Sequence, residues 1–261
     1  MQRPAAIDLP NPRKLFIPDA DCILVEPDLA GADARVVAWE CGGKFRDDFY
    51  SGVKMHQETQ RWFARTFMPQ LLTHPDFPKV EPWYTRHKNW MFGTIYGGKP
   101  PTVSNESGTP RHIVEKFQPY LFERYPEISA WQNSVKDELL TKRSISNAFG
   151  YRIIFFDRIE QCFPEALAWR PASTVAIACM RGGLQVRAEC PWAKPLLQNH
   201  DAFLFQIHKS RIRDLPALRR AFEVTVPYPE PLLMKAEFKL SAKSWADCKP
   251  VDWNNLEEIA A

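Results

Sequence analysis

The sequence predicts an α+β fold, in which a small sheet is built from segments that lie far apart in the chain. Apolar runs of strand length occur at residues 22–25 and 202–207, and residues 234–240 alternate between apolar and charged side chains as a strand does. The long interval between the first two runs carries apolar residues at helical spacing instead. Strands separated by helices, rather than by short turns, indicate a sheet made from chain ends with a helical insertion between them.

Composition excludes several classes of protein. The 261 residues are 45% hydrophobic, which is enough for a sizeable core, and the net charge of +3 allows a nucleic-acid partner without requiring one. No apolar run reaches 18 residues, so we expect no membrane span, and the N-terminus lacks the apolar core of a secretory signal. The six cysteines form no Cys-x-x-Cys pair, which favours reduced thiols over a zinc site or disulfides.

Periodicity and turn residues assign the individual elements. The predicted helices cover residues 33–40, 53–67, 84–96, 113–124, 128–140, 173–186 and 215–223, and the helix at 173 is expected to begin on a Ser/Thr cap. The predicted strands cover residues 15–18, 22–25, 153–156, 202–207 and 234–240, and residues 211–213 are expected to return as the second strand of a hairpin at 202–213.

Two features point to a site. The first strand runs into a carboxylate at Asp28, and an acid at a sheet edge can hold a metal ion; the alternative is a structural acid in an ion pair. In the helix over residues 84–96, Lys88, Phe92 and Tyr96 follow one another at intervals of four and form one stripe. The alternative is an amphipathic core helix whose lysine is simply solvated.

Three stretches, in this order, resemble the signature of family A DNA polymerases, the bacterial polymerase I and phage type. Residues 28–35, Asp-Leu-Ala-Gly-Ala-Asp-Ala-Arg, resemble the motif Asp-Tyr-Ser-Gln-Ile-Glu-Leu-Arg. Residues 88–97 resemble the helix Lys-x-x-x-Phe-Gly-x-x-Tyr-Gly, and residues 206–210, Gln-Ile-His-Lys-Ser, resemble the hairpin Gln-Val-His-Asp-Glu.

The resemblance implies a polymerase palm, a small antiparallel sheet with flanking helices, into which a helical fingers region is inserted. Residues 1–50 and 147–261 would form the palm and residues 51–146 the fingers. No counterpart of a thumb or exonuclease domain is expected within the chain. The implied partners are primer–template DNA, a dNTP and possible separate replication subunits, in the cytoplasm of a bacterial or phage-infected cell.

The resemblance also implies roles for individual residues. Asp28 and the Leu29 carbonyl would hold Mg²⁺, and Lys88 would meet the triphosphate, where a cation offsets developing negative charge. The further implied contacts are His56 with phosphate, Phe92 and Tyr96 with the nascent base pair, Asp33 with the tyrosine, Arg152, Ser173 and Thr174 with DNA, and His208 with the primer terminus. Packing roles are the alternatives for His56 and His208.

One departure dominates. Lys209 stands where this reading of residues 206–210 requires the second catalytic aspartate. Unit charges 4 Å apart at an effective dielectric constant near 20 interact with about 4 kcal/mol, so a lysine would repel the metal ions. Along an extended chain, Asp201 lies about 26 Å from Lys209 and Asp214 lies about 16 Å from it. We therefore expect neither acid to replace the missing aspartate.

Other departures point the same way. Tyr84 stands where the family has a phosphate-binding arginine, Gly31 replaces the motif glutamine, and Ala172 precedes Ser173 where the family has a glutamine. Two functions therefore stay open. The chain is either a polymerase module whose catalysis is impaired or depends on a partner, or a non-catalytic pseudo-polymerase that binds DNA or assembles a replication complex. The second function predicts a contact between Lys209 and Asp28.

Overall fold

A computed structural model describes residues 10–53 and 55–256, except for the side chain of His56. It confirms the predicted α+β class with a small antiparallel sheet. The helices of the described residues are α1 Ala32–Cys41, α2 Gly43–Tyr50, α3 Met55–Phe67, α4 Trp83–Ile95, α5 Pro100–Ser107, α6 Arg111–Arg124, α7 Pro126–Lys142, α8 Ile159–Glu189 and α9 Leu215–Phe222. The strands are β1 Cys22–Leu29, β2 Ser144–Ser146, β3 Arg152–Ile154, β4 Lys194–Asn199, β5 Ala202–His208, β6 Thr225–Val226, β7 Leu232–Leu233, β8 Ala236–Ser241 and β9 Lys249–Pro250.

The chain divides into two compact units. One comprises the residues up to Ala32 together with those from Val175 onward, and the other comprises Asp33–Thr174. The predicted boundaries between palm and fingers, at residues 50 and 146, stay a prediction.

The first unit is built on a five-stranded sheet in the order β4-β5-β1-β8-β9, in which each neighbouring pair is antiparallel. Strand β1 is central, and Ile23, Leu24 and Val25 are completely buried. Its charged Glu26 is also buried, where it accepts a 2.7 Å hydrogen bond from Trp245 Nε1. Strand β1 is therefore hydrogen-bonded to a strand on each edge, and successive side chains on both of its faces are buried.

The second unit is helical and has its own aromatic core. Trp90 of α4 is fully buried beside Phe63 and Phe117, with ring centroids 5.4 and 5.5 Å away. The indole Nε1 of Trp90 donates to Thr109 Oγ1 at 2.8 Å, so the ring is fixed by a polar anchor as well as by packing. This core fixes the buried side of α4 and leaves Lys88 exposed.

Helix α8 departs from the prediction. The structure has one helix from Ile159 to Glu189, with Pro164 and Pro171 inside it, so the predicted Ser/Thr cap at residue 173 is wrong. An internal proline costs roughly 3 kcal/mol. Leu167 before Pro171 and Val175, Cys179 and Val186 after it are buried, and their burial favours continuing the helix through the proline.

The predicted hairpin also departs. Residues 209–214 form a 3₁₀ turn rather than a return strand, and β5 instead forms a hairpin with β4, a strand that the sequence reading missed. The predicted strand at residues 15–18 is wrong as well, because Pro12–Leu15 is a 3₁₀ turn. Within the described residues, no helix combines the length and apolar character needed to cross a bilayer.

Candidate active site at the end of the β1–β5 strand pair

The β4–β5 hairpin closes through a tight turn. Asn199 pairs with Ala202, which leaves His200 and Asp201 as the two loop residues. His200 has a φ of 55°, in the left-handed region that histidine enters more readily than most residues with a Cβ. The turn therefore presents Asp201 at the tip of the hairpin, where it is half-buried.

Strand β1 brings a second acid to the same tip. Asp28 pairs with Ala202 across the β1–β5 ladder, and the Leu29 N–H donates to the Asp201 carbonyl oxygen at 3.0 Å. Burial raises the pKa of Asp201; a hydrogen bond from its own backbone opposes that rise, and the Asp28 charge adds to it. Two carboxylates of the same strand pair therefore lie close enough to repel each other.

Neighbouring groups define the electrostatics of this end. Burial raises the pKa of the Cys179 thiol to about 12, and the charges of Asp201 and Asp28 contribute. Lys239 of β8 donates to Asp28 Oδ2 at 3.2 Å. Among the described residues, no group of three or more His, Cys, Asp or Glu side chains is arranged to hold a metal ion, so any ion here would rest on these two acids and further oxygen ligands.

Lys209 is not part of this group. His208 pairs with Cys22 at the opposite end of β1, six residues from Asp28, which corresponds to about 20 Å along a strand. The backbone N–H of Lys209 donates to the Asp21 carbonyl oxygen at 2.8 Å. The predicted contact between Lys209 and Asp28 is therefore wrong, and Asp28 has Lys239 as its partner.

His208 has a local role instead. Its Nδ1 lies 2.8 Å from Ser210 Oγ and accepts from the Ser210 N–H at 3.2 Å, which caps the 3₁₀ turn that follows β5. His208 and Asp28 lie at opposite ends of the strand pair, and the contact of His208 with a primer terminus stays a prediction.

A sequence signal for Asp201 was present and was assigned to the wrong copy. The chain contains Gln-x-His twice, at residues 198–200 and 206–208. Only the first copy is followed by aspartate, as in the family motif Gln-Val-His-Asp-Glu. The structure places the first copy at the turn between β4 and β5 and the second at the end of β5.

The helix that carries the second motif lies in the helical unit. Lys88 is exposed, and its Nζ lies 4.7 Å from the centre of the Tyr84 ring. Phe92 and Tyr96 are half-buried, stack with ring centroids 6.3 Å apart, and also pack against the core. They line an open cavity of about 730 Å³ together with Lys99, Glu160 and Phe163.

The end of this helix requires glycine. Gly97 has a φ of 77°, and a Cβ there would lie 3.0 Å from Leu167 Cδ1. A Cβ at Gly98 would lie 2.6 Å from the Gly93 carbonyl oxygen. Burial raises the pKa of Tyr96, and the carboxylates of Asp33 and Glu40 raise it further. The pairing of Asp33 with Tyr96 stays a prediction.

The remaining predicted contacts differ in accessibility. Arg152 is exposed on β3 and Ser173 is half-buried. Thr174 is completely buried, and its hydroxyl donates to the Arg170 carbonyl oxygen at 2.9 Å, so a direct contact of Thr174 with DNA is contradicted. The side chain of His56 lies outside the described part of the chain.

The known proteins that this chain resembles in sequence include DNA polymerases. The chain is 24% identical to a thermostable DNA polymerase I of Thermus filiformis over 250 residues, which cover 91% of the chain and 28% of the relative. It is 21% identical to DNA polymerase I of Lactococcus lactis over 251 residues, which cover 91% and 27%. The chain is therefore similar in sequence to DNA polymerase I, a polymerase of family A, over most of its length. It spans a fragment, a little over a quarter, of these polymerases.

A solved structure shows the same fold. The polymerase domain of Pol1 from M. smegmatis, in complex with DNA primer–template and dNTP, superposes with a TM-score of 0.70 at 17% identity. The match covers 89% of this chain and 42% of that domain. No protein-family model matches the chain. The polymerase-like fold is therefore shared over nearly the whole length of this chain.

Proposed function

We propose that this chain carries out template-directed addition of dNTPs to a primer terminus, with Asp28 and Asp201 as its metal-binding acids. The observation that carries the proposal is the pairing of Asp28 with Ala202, which brings both acids to one end of the β1–β5 pair. The relationship to DNA polymerase I over 91% of the chain supports it. Lys209, whose charge would repel metal ions, lies at the other end of the β1–β5 pair.

The residues present fit a divalent ion. The side chains of Asp28 and Asp201 are partly exposed. Burial raises the pKa of Asp201 and the Asp28 charge adds to that rise, so a bound cation would offset the repulsion between the two acids. Magnesium is typically held by one or two carboxylates together with substrate phosphates, which suits a pair without a third acid. When bound, the ions activate a primer 3′-oxygen and neutralise charge on the triphosphate.

The chain's own residues then have distinct parts in this proposal. The Asp28 and Asp201 carboxylates hold the ions, and the Leu29 carbonyl is a further candidate ligand. The exposed Lys88 ammonium binds the triphosphate, and the stacked faces of Phe92 and Tyr96 support the base pair. In these roles residues 51–146 act as fingers and the segments on either side as palm.

A non-catalytic DNA-binding or assembly subunit is the second candidate. It is favoured by Tyr84, which occupies an arginine position of the family motif and lies under the Lys88 ammonium. That arrangement leaves one cation where the family has two, and Gly31 and Ala172 remain departures as well. Under this candidate the chain binds primer–template DNA but adds no nucleotide.

Single-turnover incorporation of one dNTP on a primed template, with Mg²⁺ and then Mn²⁺, separates the two candidates. The first predicts extension by one nucleotide that depends on the template base. Binding of the same primer–template should weaken steeply between 50 and 200 mM salt, because phosphate contacts release counterions. Binding without extension in either metal would overturn the first candidate and support the second.

A further inference from the structure

The ammonium group of Lys239 contacts the same Asp28 carboxylate that a bound divalent cation would contact. It lies in the middle of β8, directly opposite Glu26, and its neighbour on the same face, Glu237, is opposite Asp28. Its Nζ reaches diagonally across the ladder and donates to Asp28 Oδ2 at 3.2 Å. The lysine side chain therefore lies on the same face of the sheet as three acids, Asp28, Glu26 and Glu237.

The position of Lys239 is determined by the fold. The β1–β8 register runs without interruption from Leu24 to Leu29, so the pairing of Lys239 with Glu26 follows from backbone hydrogen bonds. Glu26 itself is buried and accepts from Trp245 Nε1. Both side chains of the Lys239–Asp28 pair remain about a third exposed, at 32% and 33%, so water and ions can reach the oxygen that they share.

We propose that Lys239 is a tethered cation that competes with divalent metal for Asp28, so that metal binding requires its ammonium group to leave. This inference rests on the proposed function. A magnesium ion lies about 2.1 Å from its carboxylate ligand, which would place it within roughly 5 Å of Nζ if the lysine stayed at 3.2 Å. Two cations at that separation repel, and the exposed carboxylate of Glu237 offers Lys239 an alternative partner.

The competition lowers metal affinity and keeps Asp28 neutralised when no metal is bound. An exposed ion pair of this kind is worth little by itself. Its removal should nevertheless be measurable, because the charge removed repels a divalent ion. We expect Lys239→Met to bind Mn²⁺ about three- to tenfold more tightly than the unaltered chain.

Isothermal titration calorimetry with MnCl₂ on the full chain, without DNA or nucleotide, tests the proposal. Lys239→Arg keeps the positive charge and should stay within about twofold of the unaltered chain. Lys249→Met is the matched control, since Lys249 lies on β9 opposite Leu240. It removes the same charge from the same sheet and should also leave the affinity within about twofold. Circular dichroism checks that each variant is folded.

Asp28→Asn tests the proposed metal site separately from the proposed role of Lys239. Two results together support both the metal site at Asp28 and the competition by Lys239. Asp28→Asn binds Mn²⁺ more weakly than the unaltered chain, and Lys239→Met is the one lysine variant that binds it more tightly. Weaker binding in Asp28→Asn with unchanged or weaker binding in Lys239→Met overturns the role of Lys239 and leaves the proposed metal site standing. Unchanged binding in Asp28→Asn overturns both.

Discussion

The two ends of the β1–β5 strand pair look alike in sequence and differ in structure. Each end carries a Gln-x-His segment, ending at His200 and at His208. At one end Asp28 and Asp201 meet beside Lys239, whereas at the other His208 caps a 3₁₀ turn and Lys209 bonds to the Asp21 backbone. A motif therefore acquires its chemistry from the partner strand that lies beside it.

The largest expected effect tests which end carries catalysis. Asp201→Asn should reduce single-turnover incorporation about a thousandfold, because metal-based stabilisation of transition-state charge is worth several kcal/mol and each 1.36 kcal/mol is tenfold. Lys209→Asp should leave the rate within about twofold. Quench-flow measurement of both variants decides the matter.

Two results would reverse this comparison. An incorporation rate raised by Lys209→Asp would return the catalytic centre to the His208 end. Full activity of Asp201→Asn would remove the carboxylate end from catalysis.

The next effect concerns stability along β1. Leu24 is completely buried in a cluster with Leu204 and Trp245. Leu24→Ala should lower the free energy of unfolding by about 3 kcal/mol, as expected when a buried leucine leaves a cavity. Asp28→Asn loses a partly exposed ion pair and should cost less than about 1 kcal/mol.

Urea unfolding monitored by tryptophan fluorescence, at a fixed low salt concentration, measures both changes. Equal losses in the two variants would mean that Asp28 has a structural role comparable to that of the core. Such a result would mean that the buried part of β1 at Leu24 and the partly exposed part at Asp28 contribute equally to stability.

The smallest effect concerns His208. His208→Ala removes the acceptor for the Ser210 N–H and should cost about 0.5–1 kcal/mol, as for other caps. Primer–template affinity should not change, because His208 pairs with Cys22, which lies about 20 Å along β1 from Asp28. Fluorescence anisotropy with a labelled primer provides the affinity, and a tenfold loss of affinity without a loss of stability would restore a primer contact.

The predicted placement of residues is accurate where the signal is local. Lys88 and Phe92 lie on α4 and Tyr96 directly after it, and Phe92 stacks with Tyr96 as their spacing predicts. Asp28 lies near the end of β1, which continues to Leu29 and is longer than the strand predicted for residues 22–25. The functional roles of these residues stay predictions. Distance along the chain from Lys209 argues against Asp201, whereas the distance that matters is the one across the ladder to β1.

The same reasoning explains the errors in the fold. The helix predicted to begin at residue 173 is the second half of α8, which continues through Pro171 because buried side chains on both sides of the proline favour one helix. Strand β4 was missed because most of its residues are exposed and it contains Pro195, so it lacks the apolar alternation of a core strand. Both depend on burial and on neighbours that a local window does not contain.

By itself, the sequence determined the α+β class, the Lys88 stripe and the acid at the end of β1. These follow from periods of 3.6 and 2 residues and from composition, which act within one element. Only the tertiary structure decided which acid accompanies Asp28 and which lysine faces it. Strand partners and register come from backbone pairing between distant segments, and the antiparallel direction of β5 places Asp201 beside Asp28 and carries Lys209 to the far end.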